Sequence, residues 1–231
     1  ALSKSLYILA PAILLLMIRS AILGNDFGGT PMELMNNPYL KLVDGVYKPI
    51  SASEKFATIT YTLGKYIQLL VFPHPLTHDY YPRYIELKTF GDISVLMSLA
   101  LYVFLIFISV KGFRSRSIAG FSVLYFLITL SIVSNIVFPI GTNMSERFMF
   151  MPSLGYALLL AYLLDRFVYS KFGKNGLLTV LFIIAGLYSL KTITRNNVWK
   201  NDFTLFTTDV KTSVNSAKVL NAAGGALTTN A

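Results

Sequence analysis

Five apolar stretches, most of them long enough to cross a bilayer, constrain this chain more than any other feature. They cover residues 5–23, 93–110, 118–140, 148–168 and 176–190. About 20 helical residues cross the roughly 30 Å hydrocarbon core, so only the last stretch is short for this task. A weaker sixth stretch, 56–72, carries Lys65 near its middle. The pattern predicts an all-α fold, a polytopic helical membrane protein with five to six membrane helices.

The composition excludes several other classes of protein. Hydrophobic residues make up 54% of the chain and charged residues 13%, against roughly 25% charged in soluble domains. A soluble fold of this size could not bury that much apolar surface. With no cysteine and only two histidines, neither a disulfide nor a divalent metal site is predicted. The net charge of +9 is spread over short loops, which indicates contacts with membrane lipids and no nucleic acid partner.

The basic links set the expected topology. Residues 111–116 hold three cations and no acid, and residues 166–174 are also basic. The positive-inside rule makes both links cytoplasmic. Because each span crosses the membrane once, residues 139–153 and the C-terminal tail then lie on the non-cytoplasmic side.

The same rule places residues 25–92 outside, with Lys4 marking a cytoplasmic start. Both flanks of the stretch 56–72 then lie on one side, which favours a re-entrant or interfacial helix. Lys65 agrees with this, because a lysine in the bilayer centre needs water or a partner. A sixth crossing, with the first span reversed, is the alternative.

The adjacent pair Glu146-Arg147 stands between two apolar stretches. Charges beside hydrocarbon are costly, so this pair is the leading candidate site. The planar guanidinium of Arg147 fits phosphate oxygens, and Glu146 could hold a sugar hydroxyl or assist proton transfer. The structural alternatives are an arginine that reaches the interface and a carboxylate that opens the next helix. Neighbouring residues on a helix do not face each other, which disfavours a simple pair.

Four weaker candidates lie in the predicted external region. His78 and Asp79, followed by Tyr80 and Tyr81, could bind a sugar or acceptor, or belong to an interfacial aromatic belt. Lys65 could reach a phosphate or the lipid head groups. Asn37, followed by Pro38, is a turn signal on its own.

The composition changes after Lys191. Residues 195–206 predict a polar start and an amphipathic helix, and residues 215–227 are rich in small side chains. This is typical of the opening of a tetratricopeptide array. The expected domains are therefore a multispan membrane domain over 1–194 and the beginning of a repeat region over 195–231.

A distinctive block of motifs comprises residues 134–141, Ser-Glu-Arg at 145–147, and 151–156. Supporting motifs are 36–38, 69–73 and 79–80 upstream, and Trp199, 205–206, 215–218 and Asn221 downstream. Together these motifs resemble one family, the transmembrane and tetratricopeptide-repeat-containing proteins. Two positions depart from the family pattern: Asn36 replaces an Asp, and Val214 replaces a Pro.

The resemblance implies a glycosyltransferase of the multispan GT-C class. Such an enzyme transfers a sugar, mannose in the animal members, from a polyprenyl phosphate to a protein hydroxyl on the non-cytoplasmic side. The repeats would hold the acceptor protein. The catalytic acid of the class lies in the first external loop, which is expected upstream of this chain. Asn36 and the run 72–80 resemble bacterial members of the Bacteroidetes type, which implies the bacterial inner membrane.

Three other functions compete with this one. A membrane-anchored repeat scaffold needs one span and no charges near hydrocarbon, and a transporter usually shows internal repeats. A polysaccharide ligase or polymerase is the closest enzymatic rival, since it also uses lipid-linked donors.

Overall fold

The structure, a computed structural model, describes residues 13–14, 17–18, 21, 32–34, 37–80, 84–136 and 140–229. The chain divides into two units, Ala1–Met32 and Glu33–Ala231. The five described residues from 13 to 21 are helical. The rest of the predicted span 5–23 lies outside the described residues, and so do Asn36 and Tyr81. All the elements named below belong to the second unit.

A β-hairpin opens this unit, which corrects the all-α prediction. Strand β1 (Leu40–Val43) pairs antiparallel with β2 (Val46–Pro49), in a register that places Val43 opposite Val46. Asp44 and Gly45 form the turn with φ values of 55° and 77°. Positive φ at both central residues is what a tight two-residue hairpin requires, and Asp-Gly supplies it readily.

Helix α1 (Ala52–Val71) follows the hairpin and covers the predicted stretch 56–72. Ser51 and Glu54 form a capping box at its start, where the side chain of each accepts a backbone N–H of the other. Lys41 of β1 lies 3.4 Å from the Glu54 carboxylate and ties the hairpin to the helix. The buried face of α1 carries Ile59, Leu63 and Tyr66 among other residues.

Helices α2 (Ile93–Arg114), α3 (Ile118–Ser131) and α4 (Phe150–Leu163) pack side by side, with α1 against α2. Glycines permit close backbone approach at both interfaces. A Cβ on Gly112 would lie 2.3 Å from the Cα of Gly120. A Cβ on Gly155 would lie 2.7 Å from the carbonyl oxygen of Ser122.

Helix α3 ends earlier than the predicted span 118–140. Ser131 and Ser134 turn their hydroxyls onto the carbonyls of Ile128 and Ser131, respectively. Asn135 has a φ of 61°, and its amide donates to the Thr142 carbonyl at 2.8 Å. Side chains that bond to nearby backbone compete with helix continuation, so α3 ends at Ser131 and a loop follows.

A long helical run follows this loop. It comprises a 3-10 turn (Glu146–Met149), α4, a π segment (Leu164–Tyr169) and α5 (Ser170–Val198). Gly173 breaks α5 internally, with φ 65° and ψ −166°. The two predicted spans 148–168 and 176–190 therefore lie on either side of Gly173.

Among the described residues, two helical runs are long and apolar enough to cross a membrane: Ile93–Arg114 and Glu146–Val198. The prediction of five to six membrane helices is wrong on this count. Helix α3 has 14 residues and is too short, and α1 is 20 residues long but is not among the candidate spans. The stretches 148–168 and 176–190 both lie in the second of these runs, which counts 53 residues and is interrupted at Gly173. These runs and the apolar composition indicate a helical membrane protein.

Two short helices end the chain. Asn201 caps α6 (Asp202–Asp209) by accepting the Thr204 N–H at 2.8 Å. Helix α6 packs against α7 (Ala217–Thr229), with Leu205, Val219 and Ala223 buried. This helix pair agrees with the predicted start of a helical repeat array.

The core of the unit lies where α1, α2 and α3 meet the loops that precede α4. Its buried members include Tyr66, Tyr80, Tyr102 and Met144. Two hydrogen bonds to backbone link this core: Tyr66 accepts the Ser145 N–H at 3.0 Å, and Tyr102 donates to the Leu63 carbonyl at 3.0 Å. The segment before α4 is thereby fixed against α1.

We expect Gly155→Ala to destabilise the packing of α3 on α4. The added methyl group would meet backbone atoms of Ser122 and Phe126, and overpacking of this kind costs about 1–3 kcal/mol. Gly186→Ala is the matched control, since a Cβ there meets nothing within 4 Å. Thermal unfolding in detergent should show a lower midpoint for the first variant alone, and equal midpoints would contradict the close approach.

Candidate functional site

The loop 72–80 links α1 to the rest of the candidate site and is held by two carboxylates. The first is Glu146, at the start of the 3-10 turn. Its Oε1 accepts the Thr77 N–H at 3.2 Å and the Tyr80 hydroxyl at 2.6 Å. A charged acceptor with two donors forms strong hydrogen bonds. The Glu146 carboxylate therefore anchors the loop from one side.

Arg147 points elsewhere, as expected for adjacent residues of a helical turn. Its side chain is exposed, and the guanidinium lies over the Phe148 ring at 5.4 Å. Among the described residues, no hydrogen bond or ion pair to this guanidinium is found. The two adjacent side chains therefore differ in their surroundings. The Glu146 carboxylate is bound by other residues of the protein, whereas the Arg147 guanidinium is exposed.

The second carboxylate is Asp209, at the end of α6. Arg195 from the last turns of α5 binds it through both terminal nitrogens, at 2.6 and 2.8 Å. His78 adds its backbone N–H at 2.6 Å and its Nδ1 at 2.9 Å. The exposed fraction of the side chain is 1% for Asp209, 13% for Arg195 and 16% for His78. This is a buried ion pair with nearly full hydrogen bonding.

The surroundings shift the pKa values of Asp209 and Tyr80 in opposite directions. Burial alone would raise the pKa of Asp209, but hydrogen bonds from Arg195 and His78 outweigh it and hold that pKa well below its usual range. Burial, followed by the charge of Glu146, raises the pKa of Tyr80 well above its usual range. Asp209 therefore stays charged, and Tyr80 stays a neutral donor to Glu146.

Three further contacts bind the loop to the C-terminal helices. The hydroxyls of Thr77 and Ser213 lie 2.8 Å apart, and both residues are buried. The His78 ring packs on Phe206 with 5.1 Å between centroids. Asp79 lies 3.9 Å from the Lys218 ammonium. The predicted sugar-binding residues His78 and Asp79 thus contact α6 and α7.

The other two predicted site residues have local partners. Lys65 donates to Gln68 at 3.1 Å on the surface of α1. Asn37 is buried, and its side-chain oxygen accepts the Tyr39 N–H at 2.9 Å, which is a turn-forming bond that leads into β1. The structure brings neither residue to Glu146 through a hydrogen bond. A ligand role for them stays a prediction.

Sequence reasoning missed the partners that hold the loop. Asp209 is 131 residues from His78 and Ser213 is 136 residues from Thr77, and neither belongs to a recognisable local motif. Arg195 lies in a segment that shows only a change in composition. The sequence predicts for Tyr80 either a part in sugar or acceptor binding or a place in an interfacial aromatic belt, whereas the structure buries it and binds its hydroxyl to Glu146.

Comparison with known proteins gives one consistent result. The chain is similar to protein O-mannosyl-transferases. It is 30% identical over 175 residues to protein O-mannosyl-transferase TMTC3 of Homo sapiens, which covers 74% of this chain and 19% of that protein. TMTC3 of Mus musculus is 29% identical over the same shares. Protein O-mannosyl-transferase F38B6.6 of Caenorhabditis elegans is 28% identical over 84% of this chain and 27% of that protein.

The similarity covers most of this chain but only a small part of each relative. The chain spans about a fifth of the mouse and human proteins. No protein-family model matches the chain. No solved structure matches it either.

We expect Asp209→Asn to loosen the loop and destabilise the fold by about 3–5 kcal/mol, because Arg195 would lose its buried counter-ion. Limited proteolysis should then cut within residues 72–80, and the thermal midpoint should fall. Asp202→Asn is the control, since Asp202 is exposed at the start of the same helix. If both variants had the thermal midpoint and the cleavage pattern of the parent protein, the bonds to Asp209 would not stabilise the fold.

The low pKa of Asp209 predicts acid sensitivity with a defined sign. The pKa of an aspartate in the unfolded chain is about 3.9, so the stabilisation that charged Asp209 gives the fold is fully present above that pH. It is lost as the pH falls toward the lower folded pKa. Unfolding measured between pH 7 and 3 should show a steeper loss for the parent protein than for Asp209→Asn. Parallel curves would contradict a charged Asp209 in the folded state.

Proposed function

We propose that this chain is part of a membrane glycosyltransferase related to the transmembrane and tetratricopeptide-repeat-containing protein O-mannosyl-transferases. The activity for which the similar proteins are named supports transfer of a mannose-like sugar to a protein hydroxyl. The apolar helical character agrees with a GT-C architecture. The donor we infer is a polyprenyl-phosphate sugar, because an exposed arginine beside apolar helices suits an anionic head group at a bilayer.

One observation carries the proposal: the loop engages Glu146, while Arg147 faces outward with no carboxylate partner in the described part of the chain. A structural ion pair would have joined the two side chains or paired Arg147 with another acid. A guanidinium left available at the end of a candidate span can instead bind phosphate oxygens in a two-pronged manner. Glu146 then serves as the anchor that fixes the segment from which Arg147 projects.

The proposed reaction forms a bond between the acceptor hydroxyl oxygen and the anomeric carbon. The bond from that carbon to the phosphate oxygen breaks, and polyprenyl phosphate leaves as an anion. The hydroxyl proton passes to a general base, which we assign to no residue of this chain. Arg147 stabilises the negative charge that develops on the leaving phosphate. The reaction needs no divalent metal.

The basic links and the run 72–80 support a location in a bacterial inner membrane. Residues 25–92, 139–153 and the C-terminal helices would face away from the cytoplasm. The helix pair α6–α7 would begin the repeats that hold the acceptor protein. Its contacts with His78 and Asp79 would bring the acceptor beside the loop of the candidate site.

We expect Arg147→Ala to lower sugar transfer roughly 10²-fold, the scale seen when one charge-stabilising donor is removed. The assay uses the complete protein in membranes with a radiolabelled polyprenyl-phosphate mannose and a protein acceptor. Arg147→Lys should recover part of the rate, since it keeps the charge and loses the fork.

Arg114→Ala is the matched control, because Arg114 is an exposed arginine at the end of another apolar helix. Its transfer rate should equal that of the parent protein. Transfer by Arg147→Ala at the rate of the control would remove Arg147 from the mechanism. A parent protein that transfers no sugar from any polyprenyl-phosphate donor would favour a scaffold.

A further inference from the structure

An apolar groove of about 760 Å³ runs between the end of α1 and the helices α4 and α5. This lies within the roughly 300–1,000 Å³ typical of small-molecule sites. Its walls are mostly aliphatic and aromatic, with Phe72, Leu160, Ile184 and Leu187 among them. Both α4 and α5 belong to the longer candidate membrane span. Apolar walls on a candidate membrane span suit the hydrocarbon part of a lipid.

One end of the groove is basic. Lys191 and His74 line it there, and the Lys191 ammonium donates to His74 Nδ1 at 3.3 Å. With Nδ1 as acceptor, the Nε2 of His74 carries the ring proton and can donate to a ligand. Lys191 retains two further N–H donors. None of the described residues that line the groove is acidic, so this end favours an anion.

The basic end leads directly to the candidate site. His74 and Thr77 belong to the same loop, three residues apart, so their Cα atoms are at most about 11 Å apart. Thr77 donates to Glu146, the neighbour of Arg147. An anion at Lys191 and His74 would thus lie beside the loop 72–80, which Glu146 anchors.

We propose that this groove holds the first isoprene units of the polyprenyl-phosphate donor, with the basic end formed by Lys191 and His74 facing the phosphate end of the lipid. This rests on the proposed function, and it names residues to which sequence reasoning gave no ligand role. Tyr188 supports the groove by donating to the Leu70 and Val71 carbonyls, which fixes α5 against the end of α1.

The test is photocrosslinking of the complete protein in phosphatidylcholine nanodiscs with undecaprenyl phosphate that carries a diazirine near the phosphate. Mass spectrometry should map the label to residues such as Phe72, Leu160 and Leu187. Leu187→Trp, which fills the groove, and Lys191→Ala should each reduce labelling about tenfold. Leu178→Trp and Lys171→Ala are controls on the same helix outside the groove, and their labelling should equal that of the parent protein.

Chain-length dependence separates this inference from the proposed function. Leu187→Trp should raise KM about tenfold for a 55-carbon donor while leaving kcat unchanged. A 10-carbon donor, too short to fill the groove, should show no such shift in KM.

Groove labelling and sugar transfer can fail separately. Groove labelling without sugar transfer by the parent protein would keep the lipid site and reject the transferase. Transfer with labelling that is unchanged in Leu187→Trp would reject the groove and keep the transferase. Labelling spread over the whole lipid-facing surface, or absent because another helix of the complete protein fills the groove, would also overturn the inference.

Discussion

The loop 72–80 depends on two buried or half-buried carboxylates that bind successive residues of the loop. Glu146 accepts the backbone N–H of Thr77, and Asp209 accepts that of His78. Because neighbouring backbone groups in an irregular loop can point in opposite directions, one loop can bridge two separate helical regions. The rest of the candidate site takes its shape from this bridge, including the outward direction of Arg147 and the closeness of His74 to Lys191.

The arrangement joins the helical membrane part to the C-terminal helices through charge as well as packing. Arg195 lies at the end of α5, whereas Asp209 lies at the end of α6, so their ion pair closes the turn between these helices. A buried pair is weak evidence of net stability, but the loss of one partner is strongly unfavourable. Such a pair is therefore suited to fixing one geometry. In a transferase, that geometry would set the acceptor region beside the donor.

The sequence predicted the parts of the structure that depend on local patterns. Charge and composition over a few neighbouring residues predict three features correctly. These are the different directions of Glu146 and Arg147, the break near Gly173 and the helical start of the C-terminal region. Asp44-Gly45 is an equally local hairpin signal, but the apolar stretches around it favoured an all-α prediction. The early end of α3 was missed because Ser131, Ser134 and Asn135 act through side-chain bonds to backbone. The sequence could not predict the hydrogen bonds that hold the loop 72–80, or the groove. The residues that form them lie far apart in the chain, and no short-range pattern links them.

The most direct test is a structure of the complete protein with a bound polyprenyl-phosphate sugar. Phosphate oxygens should lie about 3 Å from the Arg147 guanidinium, with Glu146 still bound to Thr77 and Tyr80. A phosphate held elsewhere, with Arg147 turned onto Glu146 or another carboxylate, would contradict the role given to this arginine.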